Sequence, residues 1–166
     1  DQILSGKGIE DFSLGHLFFG LHKTDTGWIF REWAPNATKI TLLTERGDWR
    51  EDEQLTRLDN GVWEIKLPAN ALKQGDKYKL HVYWKDGDGF RLPSYANYVV
   101  QEENNNFNAV AWKSNYSWQH KTPKFNKNQP LFIYEAHVGM SSDQPKVSSY
   151  RQFANEIIPR IKKAGY

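Results

Sequence analysis

Short alternating segments separated by turn motifs run through residues 15–115, and this spacing limits the fold more than any other feature of the chain. Helix-type periodicity is weak over the same range. Glycine, asparagine and aspartate at tight connections favour hairpins between antiparallel strands. The turn motifs are Asp25-Thr26-Gly27, Arg46-Gly47-Asp48, Asp59-Asn60-Gly61 and Asp86-Gly87-Asp88-Gly89. Their spacing predicts an antiparallel β-sandwich.

Two of these segments show which side chains face inward. In residues 62–67, Trp63, Ile65 and Leu67 share one face, so we predict that Trp63 lies in the core. Residues 77–84 follow the same rule. There Tyr78, Leu80, Val82 and Trp84 take one face, while Lys77, Lys79, His81 and Tyr83 take the other. Lys79 is therefore expected to reach solvent. Further strands are predicted at residues 17–22, 28–34, 39–44 and 95–101.

Residues 131–166 follow a different pattern. The apolar run Leu131–Val138 lies between Pro130 and Gly139 and predicts a largely buried strand. Beyond a polar connector, apolar residues recur at three- and four-residue spacing and predict an amphipathic helix that ends near Gly165. They are Tyr150, Phe153, Ile157, Ile158 and Ile161. A strand followed by a helix should lead into a second parallel strand, so we expect a truncated chain that contains one βα unit of a larger domain.

Charge and composition exclude several classes of protein. Lys and Arg number 22 against 20 Asp and Glu, a net charge of +2, which argues against a nucleic-acid partner. No apolar run approaches the roughly 20 residues of a membrane-spanning helix, so we expect no membrane partner. The chain has no cysteine, which suits a reducing compartment, and we expect a cytoplasmic protein. The histidines form no ligand pattern, so we predict neither a metal nor a cofactor.

Blocks of residues along the whole chain resemble the glycogen and starch branching enzymes. Those in the first part are Gly15–His22, Phe30–Ala37 and Gly61–Ile65 with Leu67-Pro68. Those in the second part are Tyr134–Ser142, Tyr150-Arg151 and Pro159–Tyr166. The resemblance implies an immunoglobulin-like sandwich of the carbohydrate-binding type over residues 15–115, after an N-terminal segment at 1–14. A linker at 116–130 would follow, and then residues 131–166 would begin a truncated (β/α)8 barrel.

The same resemblance implies the amino-terminal part of a 1,4-α-glucan branching enzyme, a glycosyltransferase that converts α-1,4 linkages into α-1,6 branches. Its implied partners are α-glucans, namely glycogen, amylose and malto-oligosaccharides, and the remainder of the barrel. In that family the catalytic carboxylates lie on later barrel strands, beyond Tyr166, so we assign no catalytic residue and expect the 166 residues alone to be inactive. A stand-alone glycogen-binding or regulatory module and a debranching-type α-glucan hydrolase remain as alternatives.

Three residues are candidates for sugar binding: Trp49, Lys79 and Phe90. Glucose rings present apolar faces edged by hydroxyl groups, so glucan sites pair an aromatic platform with hydrogen-bonding side chains. Trp49 lies in a charged turn, where burial is not its obvious role. Related glycogen-binding modules carry a lysine and an aromatic residue at positions matching Lys79 and Phe90, although this chain shortens their hairpin to Gly47-Asp48-Trp49. The alternative is that Trp49 and Phe90 pack within the protein and Lys79 is merely solvated.

Overall fold

The computed structural model describes Gly8 and residues 13–122, 124 and 126–166. Most of the predicted N-terminal segment therefore lies outside the described residues. The chain divides into two compact units, Asp1–Tyr116 and Ser117–Tyr166. All strands of the described residues belong to the first unit, and two short α-helices belong to the second.

The first unit contains ten strands in its described part. They are β1 (Gly20–Lys23), β2 (Gly27–Trp33), β3 (Ala37–Thr44), β4 (Glu53–Gln54), β5 (Thr56–Arg57), β6 (Val62–Pro68), β7 (Lys77–Trp84), β8 (Gly87–Arg91), β9 (Val99–Gln101) and β10 (Phe107–Val110).

The strands form two antiparallel sheets. The first has the order β1-β2-β6-β5, and the second has the order β4-β3-β7-β10-β9 with β8 also paired to β7. Strand β7 pairs with β3 along one edge, and its other edge is shared between β10 at its start and β8 along the rest. The predicted antiparallel sandwich is confirmed.

The hydrophobic core lies between the two sheets. Phe30 on β2 and Tyr78 on β7 meet edge to face, with 6.2 Å between ring centres, and both are almost completely buried. Trp63 is 3% exposed, as its alternation predicts, and its indole N–H donates to the carbonyl of Ala34 at 3.0 Å. A buried indole whose N–H is satisfied contributes apolar area without an unpaired donor. The predicted inward positions Leu67 and Leu80 are buried as well.

The hairpin between β7 and β8 corrects one sequence prediction. Residues 86–89 resemble a turn, yet the turn occupies only Lys85-Asp86, because Trp84 pairs with Gly87 and Gly87 already begins β8. Two-residue connections match the twist of antiparallel strands and are the commonest hairpin loops. As a result Asp88 and Phe90 lie on a strand, two residues apart and on the same face.

Residues 131–138 do not form the predicted buried strand. No described segment pairs with them, and a strand needs a partner for its N–H and C=O groups. Their apolar side chains are correspondingly open: Leu131 is 60%, Phe132 65% and Ile133 73% exposed. The prediction of a strand and of its burial is wrong for this structure.

The predicted helix is divided in two. Helix α1 (Tyr150–Glu156) and helix α2 (Ile158–Lys163) meet at Ile157, because Pro159 lies in the first turn of α2 and has no N–H for a continuous helix. Ser149 caps α1 by accepting the N–H of Gln152 at 3.1 Å, and Gly165 follows α2 with a φ of 87°, as expected for a terminating glycine. None of the helices in the described chain has the length and apolarity to cross a bilayer.

Candidate functional site

The structure brings the three predicted sugar-binding residues together on the outer face of the second sheet. The Lys79 ammonium lies 4.9 Å from the centre of the Trp49 ring and 4.6 Å from that of Phe90. It therefore makes cation–π contacts with both rings. Phe90 is 58% exposed rather than packed beneath its hairpin, while Trp49 and Lys79 are half-buried. We call Trp49, Lys79 and Phe90 the aromatic platform.

Strand register explains why Lys79 and Phe90 meet. Phe90 on β8 lies directly opposite His81 on β7, and Lys79 is the next residue along β7 on the same face. Alternation turns the intervening Leu80 into the core, where it is 1% exposed. The burial of one face of β7 thus determines which side chains the other face presents.

Trp49 is held by the turn that follows β3. The side-chain oxygen of Thr44 accepts the N–H of Gly47 at 3.1 Å, and its carbonyl accepts the N–H of Trp49 at 3.0 Å. Asp48 and Trp49 both have left-handed backbones, with φ of 51° and 58°. A bulky residue rarely adopts this conformation, which costs about 1–3 kcal/mol. The Thr44 bonds restrain the backbone of this turn despite that cost.

A polar network lies beside the platform on the same face. His81 Nδ1 is 2.5 Å from Glu51 Oε1, and His81 Nε2 is 2.6 Å from Asp88 Oδ1. The Tyr83 hydroxyl lies 2.7 Å from both Glu51 oxygens, and the Lys39 ammonium donates to Glu51 Oε2 at 3.0 Å. Glu51 therefore collects three partners, and His81 lies between two carboxylates.

These contacts shift the pKa values of the network. Hydrogen bonds from Tyr83 and then Lys39 lower the pKa of Glu51 to about 2. The same bond to Glu51 raises the pKa of the Tyr83 phenol to about 12. For His81, burial disfavours the charged form, but the hydrogen bonds to Asp88 and Glu51 outweigh it and raise the pKa. The two carboxylates thus favour the imidazolium form of His81.

A polar cleft of about 570 Å³ adjoins the platform on the Trp49 side. Lys77 bonds Glu102 at 2.8 Å there, and this bond is the main reason that the pKa of Glu102 is lowered. Asn108 is 5% exposed, and its Oδ1 has no protein partner. The lining consists of Glu45, Trp49, Lys77, Lys79, Glu102, Glu103, Asn104, Asn106 and Asn108. Amide and charged groups beside an indole suit a ligand with both hydroxyl groups and apolar faces.

The sequence predicts the residues of the platform but not those of the network. Alternation already turns His81 and Tyr83 outward with Lys79, whereas Glu51 and Asp88 stand 30 and 7 residues away from His81 and carry no local signal. Asp88 reaches His81 because β8 pairs with β7, and Glu51 reaches it because the chain folds back toward β7 after the Trp49 turn. Within the described part of the chain, no group of three or more His, Cys, Asp or Glu residues is placed to hold a metal ion.

Comparison with protein families gives one match. The family described as carbohydrate-binding module 48 (isoamylase N-terminal domain) matches residues 18–96. The matched range includes Trp49, Lys79 and Phe90. It also includes all five residues of the polar network, namely Lys39, Glu51, His81, Tyr83 and Asp88.

Relatives extend the similarity over nearly the whole chain. A 1,4-alpha-glucan-branching enzyme 2-2 from Arabidopsis thaliana is 36% identical and covers 96% of this chain, which spans 21% of that protein. A 1,4-alpha-glucan-branching enzyme from Emericella nidulans is 37% identical over 96% of this chain and 25% of its own length. A 1,4-alpha-glucan-branching enzyme from Equus caballus is 36% identical over 96% of this chain and 24% of its own length. The resemblance to branching enzymes is confirmed, and the chain spans about a quarter of these relatives' length.

Solved structures show a similar fold. The type I pullulanase from Bacillus subtilis str. 168, solved in complex with maltose, aligns with a TM-score of 0.53 at 21% identity. The alignment covers 65% of this chain and 15% of the pullulanase. At this identity the similarity concerns the fold.

The Thr44 hydroxyl should contribute to the stability of the turn that carries Trp49. Thr44→Val removes the oxygen that accepts the Gly47 N–H and leaves that donor unsatisfied, so the free energy of unfolding should fall by about 1 kcal/mol. Urea unfolding followed by circular dichroism measures the change. Thr38→Val is the matched control, because Thr38 is exposed on the same strand; it should change stability by less than about 0.5 kcal/mol. Equal losses in the two variants would contradict the assigned role of Thr44.

Proposed function

We propose that the sandwich binds α-glucan chains at the aromatic platform, because residues 18–96 match the carbohydrate-binding module 48 family and the chain as a whole matches 1,4-α-glucan-branching enzymes. The observation that carries the proposal is the placement of Lys79 between Trp49 and Phe90, within cation–π distance of both rings. The ligands proposed are glycogen, amylose and malto-oligosaccharides.

The chemistry of the platform suits a glucose chain. An exposed ring such as Phe90 can stack on the apolar face of a glucose unit, and the half-buried Trp49 presents a second aromatic surface nearby. The Lys79 ammonium has three donors, enough to bond a sugar hydroxyl while it remains against the rings. Two ring contacts and a few exposed hydrogen bonds give weak binding, with a Kd on the order of 0.1–1 mM.

The polar cleft supplies a continuation of the same surface. Its amide side chains at Asn104, Asn106 and Asn108 can donate to and accept from hydroxyl groups, and Trp49 and Lys79 form its border with the platform. We therefore place the ligand chain across Lys79, with one end over Phe90 and the other toward the cleft. Such a surface favours an extended oligosaccharide over a single glucose.

We further propose that the chain is part of a 1,4-α-glucan-branching enzyme, in which the sandwich holds glucan for a catalytic barrel. The support is the 34–37% identity with branching enzymes over nearly all of its residues. The transfer chemistry is assigned to parts of such an enzyme other than the described residues. Retaining glycoside chemistry needs a carboxylic acid with a raised pKa beside a carboxylate nucleophile.

Glu51 and Glu102, two carboxylates beside the platform, do not meet the need for such an acid. Bonds from Tyr83 and Lys39 lower the pKa of Glu51 to about 2, and the bond from Lys77 also lowers that of Glu102. A group that stays ionised near neutral pH cannot protonate a leaving oxygen. Neither carboxylate supplies the acid of that chemistry, and we propose that the platform serves in binding.

Removal of the Trp49 ring tests the binding proposal. Trp49→Ala should weaken the affinity for maltoheptaose by about fivefold to tenfold, since one ring–sugar contact contributes about 1 kcal/mol. Isothermal titration calorimetry at millimolar ligand gives the Kd. Trp118→Ala is the matched control, because Trp118 is 85% exposed and belongs to the second unit. This variant should bind maltoheptaose with the affinity of the wild type. Equal affinities for Trp49→Ala and the wild type would refute the assignment of the site.

The 166 residues themselves should neither branch nor hydrolyse glucan, because we assign the transfer chemistry to other parts of the enzyme, and the lowered pKa values of Glu51 and Glu102 leave neither of them able to act as the acid. The assay incubates the purified chain with amylose and follows iodine absorbance and reducing ends over several hours. Both signals should stay constant while maltoheptaose binding persists in the same preparation. A change with time that survives repurification would show catalytic chemistry within these residues.

A further inference from the structure

Two separate parts of the chain supply the rings of the aromatic platform. Trp49 lies in the turn between β3 and β4, and Phe90 lies on β8. Both rings touch Lys79, but a cation–π contact fixes neither the direction nor the distance of a ring tightly. A platform that must match a glucan chain needs a more directional link between these two parts.

His81 provides such a link. One of its ring nitrogens faces Glu51, two residues beyond Trp49, and the other faces Asp88, two residues before Phe90 on the same face of β8. Its ring also lies 4.6 Å from that of Phe90, between ring centres, and its side chain is only 12% exposed. Hydrogen bonds at 2.5 and 2.6 Å to two carboxylates are short and directional.

We propose that His81 is the positioning residue of the platform, and that its two carboxylate bonds fix the Trp49 turn against the strand that carries Phe90. The inference rests on the proposed function for its effect on glucan affinity, although the link itself is a property of the free protein. His81 acts through Glu51 and Asp88 rather than by contact with the sugar.

The bridge depends on the charge of His81. An imidazolium donates from both nitrogens, whereas a neutral imidazole has one donor and would turn a lone pair toward one of the carboxylates. Two carboxylates face the ring nitrogens of His81, Glu51 at Nδ1 and Asp88 at Nε2. Glu51 also accepts hydrogen bonds from the Lys39 ammonium and the Tyr83 hydroxyl. Lys79 approaches the neighbouring Phe90 ring. Both carboxylates thus favour the charged ring.

Loss of the His81 proton breaks the bridge. The pKa of His81 is raised, so the complete bridge is present at weakly acidic pH and is lost as the pH rises through that raised value. Glu51 stays ionised throughout this range, because its pKa is about 2. On the alkaline side, one carboxylate bond breaks and the Trp49 turn is released from the β8 strand.

The first test needs no ligand. The indole N–H signal of Trp49 is followed by two-dimensional NMR between about pH 5 and 9, together with the His81 ring signals. We expect the indole shift to change with the same midpoint as His81, and to show no such step in His81→Gln. His22→Gln is the matched control and should retain the step, since His22 lies on β1 and bonds the carbonyl of Phe19. If the wild-type indole signal does not change at the midpoint of the His81 titration, the proposal is wrong. This measurement uses the wild type and does not require any variant to fold.

The second test measures maltoheptaose affinity at the same pH values. In the wild type it should weaken by about threefold to tenfold as His81 loses its proton, whereas His81→Gln and His81→Phe should show a weak affinity without this pH step. His81→Phe retains a ring beside Phe90 and removes both bonds. A pH step that survives in both variants refutes the role of His81. Absence of maltoheptaose binding at every pH instead contradicts the proposed function, while the indole titration still decides on His81.

Discussion

The register of β7 between β3 and β8 is the constraint on which both the core and the site depend. Its inward residues Tyr78 and Leu80 are 1% exposed and fill the space between the sheets. Its outward residues Lys79 and His81 contact the rings and carboxylates of the candidate site. A slip of one residue would exchange the two sets. The burial of two apolar side chains therefore also orients the cation and the imidazole of the site.

Hydrogen bonds to the second sheet restrain the unfavourable backbone conformation at Trp49. Trp49 has a left-handed backbone that is unfavourable for a bulky residue. Thr44 at the end of β3 restrains this turn, because it accepts the N–H of Trp49 and that of Gly47. The network around His81 adds a second attachment two residues later, at Glu51. Unfavourable backbone conformations persist only where the surrounding structure restrains them. A tryptophan in an unrestrained loop would not keep this backbone conformation.

Alternation and turn chemistry predict much of the fold, because both act over a few residues. The inward faces of residues 62–67 and 77–84 follow directly from the alternation, and so does the outward position of Lys79. The short strands β4, β5 and β10 carry too few residues for the pattern to show. Residues 131–138 have the composition of a buried strand, yet composition does not provide the partner that a strand requires.

The site is predictable only in part. Trp49, Lys79 and Phe90 are suggested by residue type and by family resemblance, and the structure brings them within cation–π distance. The carboxylates of Glu51 and Asp88 reach His81 only after the turn at Trp49 and the β7–β8 hairpin are formed. Such long-range pairs leave no periodic trace in a single sequence. They appear once the strand register is known.

Chemical-shift mapping with maltoheptaose tests the central claim most directly, namely that the outer face of the second sheet is the glucan surface. Backbone amide signals are recorded while the ligand is added up to millimolar concentration. We expect the largest changes in residues 47–51, 79–83 and 87–91 and in the cleft residues 102–108, with little change in β1, β2 and β6. Perturbations concentrated on the β1-β2-β6-β5 sheet, or none at millimolar ligand, would contradict it.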